Sequence, residues 1–214
     1  MKTNFQKEFL NSLADSYDFA LNNKIKREEL IENFSVLNNS TPFSERLNDW
    51  ISDFYNRHKD IFMLTDTDDF DSKDLKGTLQ RYTERFKTTG KIHIWTECSE
   101  NTIFGSPQIN HFYRAWHDHT HISCQCGFTF AGESMTAAIQ NSMIPADWTL
   151  EKELIMIDIV GLNQYYSIHK EYVKDQRRFV IDYMRNAYRA IFTRQCDDLK
   201  SEINTNLGKS FIAR

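Results

Sequence analysis

Turn-forming residues are scarce in this chain: its 214 residues include only 7 glycines and 3 prolines. A fold of many short strands needs a turn every 8–12 residues or so, so the scarcity argues for long helices. Apolar spacing agrees. Residues 3–22 set Phe5, Phe9, Leu10, Leu13, Tyr17 and Leu21 three and four apart, and residues 26–37 do the same with Leu30, Ile31, Phe34 and Leu37. A third helix is expected to start with Thr41 as N-cap, Pro42 at the first helical position and Glu45 as capping-box partner, with Leu47, Trp50, Ile51, Phe54 and Tyr55 on its stripe.

Further helices are predicted over 75–88, stopping near Gly90, and over 107–121, opened by Ser106 and Pro107. A short one begins at Gly132 and stops before Pro145. A long one runs from 148, and a longer one over 174–204. Only two segments alternate in the manner of strands, "KIHIWTEC" at 91–98 and "ISCQCGFTF" at 122–130. The expected fold is mainly α: a multi-helix bundle with a small two-stranded β element near residues 91–98 and 122–130. The chain reads as a single domain. Within it stand an N-terminal helical subdomain 1–63, an acidic linker 64–74 and a motif-bearing core 75–205. The linker's aspartates lack the central Gly and closing Glu of a calcium loop.

Composition excludes some classes. The net charge of −4 gives no general attraction to nucleic acid. The late cluster Lys174, Arg177, Arg178, Arg185, Arg189 and Arg194 reads as a solvated helix face. No apolar run approaches the roughly 18 residues that span a bilayer, so no membrane role is expected. The N-terminus lacks the apolar stretch of a signal peptide, and four cysteines in that setting read as thiols. The expected compartment is the cytoplasm.

Chemistry concentrates in "NHFYRAWHDHTHISCQC", 110–126, which holds four of the seven histidines. On a helix, Asn110, His111, Arg114, His117, Asp118 and His121 share a face of about 120°, opposite Phe112, Trp116 and Thr120. His119 falls outside the cluster. His117 and His121, four apart, have the spacing with which helical histidines grip a metal. Asp118 offers a carboxylate, as direct ligand or as orienting partner. Arg114 is placed to bind an anion or to pair with Asp118. A plain solvated face is the alternative reading.

Downstream, Glu133 opens a helix and is a further candidate ligand. Asp158 sits among Leu154, Ile155, Gly161 and Leu162, a setting that buries a carboxylate and demands a partner. Gln164, Tyr165, Tyr166 and His169 lie near the same face. Cys124 and Cys126 can share one side of a strand and, with His121, suggest a structural zinc site, although their spacing is shorter than zinc knuckles prefer.

The residues Arg114, Ala115, His117, Asp118, His121, Phe128, Gly132 and Glu133 resemble a motif of uncharacterised phage-encoded helical proteins, Arg-Ala-x-His-Asp-x-x-His followed by Phe and Gly-Glu. The resemblance covers roughly 104–182. It implies a phage origin, action in the host cytoplasm and a His/Asp/Glu metal site. The His117-Asp118 doublet also resembles that of HD phosphohydrolases, which implies further ligands, offered here by His58 and by Asp158 or Asp182.

The leading expectation is a metal-dependent enzyme, a hydrolase or an oxygenase. His117, Asp118, His121 and Glu133 would surround iron, manganese or zinc, and Asp158 and Arg114 would act in the pocket. A ferritin-like bundle would need more Glu-x-x-His motifs than the chain has. The second expectation is a non-catalytic virion or host-interaction protein. The partner is then a small-molecule substrate or another protein, and the long final helix can pack against a copy of itself.

Overall fold

The computed structural model describes residues 24–185, together with Lys7, Glu8, Asn11 and Asp15. The helix expected over 3–22, the C-terminal part of the one expected over 174–204, and Arg189 and Arg194 fall outside the described residues, apart from those four positions.

Helix α1 (Lys24–Ser35) leads into a tight turn, where the side chain of Asn38 accepts hydrogen bonds from Ser40 and Thr41. Thr41 therefore does not cap the next helix. Helix α2 (Glu45–His58) starts three residues later than expected, and Ser44 is its N-cap, accepting from the Leu47 N–H at 3.2 Å. After a short 3₁₀ turn (Lys59–Ile61) comes strand β1 (Phe62–Thr65). Helix α3 (Leu75–Thr89) ends at Gly90, which takes the left-handed conformation that a C-terminal glycine adopts most cheaply. Strand β2 (Ile92–Trp95) follows.

The two strands pair in parallel, Phe62 opposite Ile92 and Thr65 opposite Trp95, with α3 as the crossover between them. The fold is mainly helical with a small two-stranded sheet, as expected, but the partner of 91–98 is not 122–130. Helix α4 (Pro107–Cys124) runs on through Ile122, which it buries, and closes with Gln125 in the left-handed region. The short apolar alternation at 122–130 fits a buried helical turn as well as a strand. Leu64 and Thr65, assigned to the linker, belong to β1, so the loop begins at residue 66.

Helix α5 (Phe130–Met143) is capped by Thr129, which accepts from the Gly132 N–H at 3.2 Å. Its first turn presses on the preceding loop: a Cβ at Gly132 would lie 1.7 Å from the Gly127 carbonyl oxygen, so only glycine fits there. The long helix expected from 148 divides into α6 (Thr149–Met156), a π-helical turn (Ile157–Gly161) and α7 (Leu162–His169). Helix α6 is anchored by Glu151, fully buried, which takes two hydrogen bonds from Arg46 and one from the Ser44 hydroxyl. Helix α8 (Gln176–Met184) completes the described chain.

One apolar cluster runs from Leu30 in α1 to Met184 in α8 and joins residues expected in the N-terminal subdomain with residues expected in the core. At its centre α4 packs Trp116, fully buried, against Trp50 of α2 with ring centres 4.3 Å apart. Part of the expected basic face turns inward or is paired. Arg177 is buried over the Phe43 ring and donates to the carbonyls of Thr41 and Thr102. Arg178 pairs with Asp182, and Arg185 with Glu32. Among the described residues no helix is long and apolar enough to cross a membrane.

Candidate metal centre

The polar face of α4 turns into the protein. His121 is fully buried, and His117 keeps 19% side-chain exposure. One helical turn separates them, and α5 lays Glu133 across the pair. The His117 and His121 Nε2 atoms stand 3.0 Å apart, and Glu133 Oε2 lies 3.3 Å from each. Glu133 is held there by the close contact of Gly132 on Gly127, one residue before it.

The second nitrogen of each ring fixes what the first presents. His121 Nδ1 donates to the Cys126 carbonyl at 2.8 Å. His117 Nδ1 donates to the side-chain oxygen of Gln140 at 3.1 Å. A carbonyl oxygen can only accept, so both Nδ1 atoms carry hydrogen, and a ring with no second proton turns its Nε2 lone pair toward Glu133. Two lone pairs and a carboxylate oxygen thus converge on one point, an arrangement that requires a cation or a proton at its centre. The spacing suits a metal ion. With ligand bonds of about 2.0–2.2 Å, ligand atoms stand about 3.0 Å apart at octahedral angles and about 3.4 Å apart at tetrahedral ones. The observed edges of 3.0–3.3 Å fall in that interval. His117, His121 and Glu133 can hold a metal ion.

Protons compete for the same place. Burial lowers the affinity of His117 for a proton, but hydrogen bonding and charge from Glu133, with help from Asp118, outweigh it and raise the pKa to about 9. Burial pushes the Glu133 carboxyl up, and the hydrogen bonds and charges of the two histidines pull it down to about 2.

Asp118 does not join the triad. It stands one residue beyond His117 on α4, away from the cavity lining. Burial raises its pKa to about 6 against the opposing charges of His117, His121 and Arg114. Arg114 makes no ion pair with it. The guanidinium donates instead to the carbonyls of Trp95, Glu97 and Cys98 at 2.7–3.0 Å and lies over the Trp95 ring. It fastens the loop after β2 to α4, because five fixed donors suit a ring of backbone carbonyls better than one carboxylate does.

A cavity of about 570 Å³ opens beside the triad, with His117 and Glu133 in its wall. Asp158 also lines it, carried there by the π turn. Such turns insert a residue into the helix and re-aim the side chains on it. Burial raises Asp158 to about 6, opposed by the charges of His117 and Arg114. Tyr113 lines the same wall, and its phenol is pushed well up by burial and by the Asp158 charge. The Tyr113 hydroxyl stands beside the Asp158 carboxylate, and hydrogen bonding between them raises the phenol further and lowers the carboxyl. Of the other residues expected near this face, Tyr166 lines the cavity; Gln164 does not, and Tyr165 packs on His169 instead.

The other expected combinations are not assembled. His58 lies against Phe54 and His119, and Asp182 is paired with Arg178 and Arg185, so the set implied by the HD resemblance does not form. Cys124 is exposed and Cys126 is buried, and both are free thiols outside the triad. Cys126 contributes through its carbonyl alone. Sequence reasoning missed Gln140, Tyr113 and that carbonyl. A helical spacing from Glu133 to Gln140 of seven residues, two turns on one face, was the available signal for the first. No family model, curated protein or solved structure matches the chain.

Proposed function

We propose that this protein is a metal-dependent hydrolase. His117, His121 and Glu133 hold a divalent transition ion, zinc, manganese or iron, and Asp158 accepts the proton of the attacking water. The observation that carries the reading is the convergence of two lone-pair nitrogens and one carboxylate oxygen at 3.0–3.3 Å, with each imidazole oriented by a carbonyl acceptor behind it. An ion held by these three side chains would supply Lewis-acid chemistry and a more acidic water. Asp158 suits the proton-accepting role because it faces the cavity beside the triad.

The same residues carry the resemblance to phage-encoded proteins, and a phage origin with action in the host cytoplasm belongs to this proposal. A second reading, an iron oxygenase, is favoured by one observation: the two histidines and one carboxylate brought together here would supply the ligand set of non-haem iron enzymes.

Elemental mass spectrometry on the purified full chain, beside the His117→Ala/His121→Ala double variant, tests the centre. One equivalent of zinc, manganese or iron, lost in a variant with unchanged circular dichroism, is expected. No bound metal after reconstitution overturns the proposal. Iron with substrate-dependent oxygen uptake would favour the second reading.

A further inference from the structure

The small sheet has two outer edges, and the molecule treats them differently. Beside β2 the edge is closed from α4. Arg114 donates to the Trp95 carbonyl at 2.8 Å, and His111 Nε2 lies 2.7 Å from the Thr96 carbonyl oxygen. Among the described residues nothing comparable lies beside β1. The Thr65 carbonyl accepts from the Thr96 N–H at 3.0 Å, which fixes the phase of the strand. Successive residues of a strand turn their backbone groups to opposite sides, so Met63 and Thr65 face β2 while Phe62 and Leu64 face away from it. Among the described residues, neither the Leu64 N–H nor its carbonyl has a hydrogen-bond partner. The Phe62 N–H is engaged by the Lys59 carbonyl, and the Phe62 carbonyl is open.

The side chains along this edge are apolar. Met63 is 43% exposed and Leu64 46%, whereas Phe62 is buried and stacks on Tyr55. An open edge strand is a template for another strand, and proteins that leave one unused blunt it with a charge, a proline or a bulge. Residues 62–65 carry none of these.

The flanks say which strand fits. Before β1, Arg57 and Lys59 are exposed, with Asp60 as the one acid among them; after it, Asp66 and Asp68 are exposed. A second β1 laid antiparallel brings its acidic end to this basic start and its basic start to this acidic end, so charge favours a copy related by a twofold axis. The free backbone groups then choose the register. Directly opposed residues of an antiparallel pair exchange bonds only where both face the junction. Leu64 opposite Leu64 of the second copy forms two N–H···O bonds and leaves each Phe62 carbonyl to the Asp66 N–H across from it. Phe62 opposite Leu64 would call on the Phe62 N–H, which is already engaged.

We propose that β1 is a self-association edge. Two copies of the chain join β1 to β1 antiparallel, making one sheet in the order β2–β1–β1–β2 with the two Leu64 residues at its centre. The junction is short, so the dimer is roughly micromolar or weaker and forms reversibly with concentration. The association does not depend on what the metal centre does.

Sedimentation equilibrium of the full chain under reducing conditions is expected to show monomer passing to dimer as concentration rises. Leu64→Lys sets like charges face to face at the axis, and Leu64→Pro removes the outward N–H while sparing the ladder to β2. Each should weaken the dimer at least about tenfold with unchanged circular dichroism. Ile168→Lys, the same change at an exposed apolar residue of α7, should leave it as it is. Leu64→Cys reads the register. Opposed Cα atoms of a hydrogen-bonded pair stand about 5.5 Å apart, within disulfide reach. Mild oxidation should therefore link this variant faster than the unsubstituted chain or a Val36→Cys variant. A chain monomeric up to about 1 mM, a dimer indifferent to both Lys and Pro at position 64, or equal cross-linking from positions 36 and 64 overturns the proposal. So does a chain that stays monomeric yet binds a synthetic peptide of residues 60–67 in a manner blocked by Leu64→Lys; the edge would then serve a strand of another protein.

Discussion

Helix α4 is buried on two sides, and the two are built on opposite terms. Toward α2 it presents Phe112 and Trp116, which meet Tyr55 and Trp50 with ring centres 3.8 and 4.3 Å apart. Toward α5 and the cavity it presents Tyr113, His117 and His121. The first side is closed by shape: rings fill the space, and the Trp116 indole N–H reaches across to the Met143 sulfur at the end of α5, 3.5 Å away. The second side is specified atom by atom, yet it stays incomplete. Its imidazoles are fastened from behind, while in front the two Nε2 atoms and a Glu133 oxygen crowd a point that a cation or a proton must fill. A helix that only needed to be stable could carry leucines on both sides. The contrast separates what holds α4 in place from what α4 holds.

The comparison can be broken from either side. The largest effect is expected on the ring side. Trp116→Ala should cost about 3–5 kcal/mol of stability by opening a cavity in the core, read in denaturant melts, and any metal binding that survives should keep its stoichiometry. On the other side, His117→Ala should abolish metal binding, read by elemental mass spectrometry. Its effect on the ion-free melting temperature should be the smaller of the two, because His117 retains some exposure. Asp158→Asn should leave metal stoichiometry intact and lower the hydrolytic rate by about 10²–10⁴-fold, the usual worth of a general base. Loss of metal in that variant would show Asp158 to be a ligand instead.

A pH series sharpens the contrast further. In the ion-free chain the raised pKa of His117 contributes stability that is fully present below about 6.5, its ordinary value, and is lost as pH rises through about 9. The depressed pKa of Glu133 contributes stability that is present above about 4.5 and lost as pH falls through about 2. A metal ion must displace the His117 proton, so it binds more tightly as pH rises over the same range. The melting-temperature gain on adding zinc should therefore be larger at pH 9 than at pH 6; equal gains would contradict the proton competition. The smallest effect is expected from Arg114→Lys. It should cost about 1–2 kcal/mol by loosening the loop at 95–98, with metal content unchanged.

The sequence made part of this legible. The stop at Gly90, the helix opened by Pro107 and the one-turn spacing of His117 and His121 depend on local chemistry, and local chemistry can be read from a string. Asp158 stood out because a carboxylate among Leu154, Ile155 and Leu162 needs a reason. The missing pieces are non-local or belong to the backbone. The partner of β2 lies thirty residues upstream, across an intervening helix, and four residues directly after a helix give little periodicity to recognise. The Cys126 carbonyl that orients His121 carries no side-chain signature. Asp118 looked like a ligand because it adjoins His117, but successive residues on a helix point about 100° apart, and the third place fell to Glu133 on another element. Arg114 lay on the right face, yet its length let it reach past the site to the loop after β2.

The π turn at 157–161 has a consequence for how this site can change. The three metal-binding atoms sit on α4 and α5, whereas Asp158 arrives on a single surplus residue in a different segment. Deleting one residue there restores a regular helix and swings the position by about 100°, leaving the histidines and Glu133 untouched. The three candidate ligands and the carboxylate beside them thus lie on separate elements. A lineage, or an engineer, can exchange that carboxylate by one-codon slippage without rebuilding the His117, His121 and Glu133 cluster.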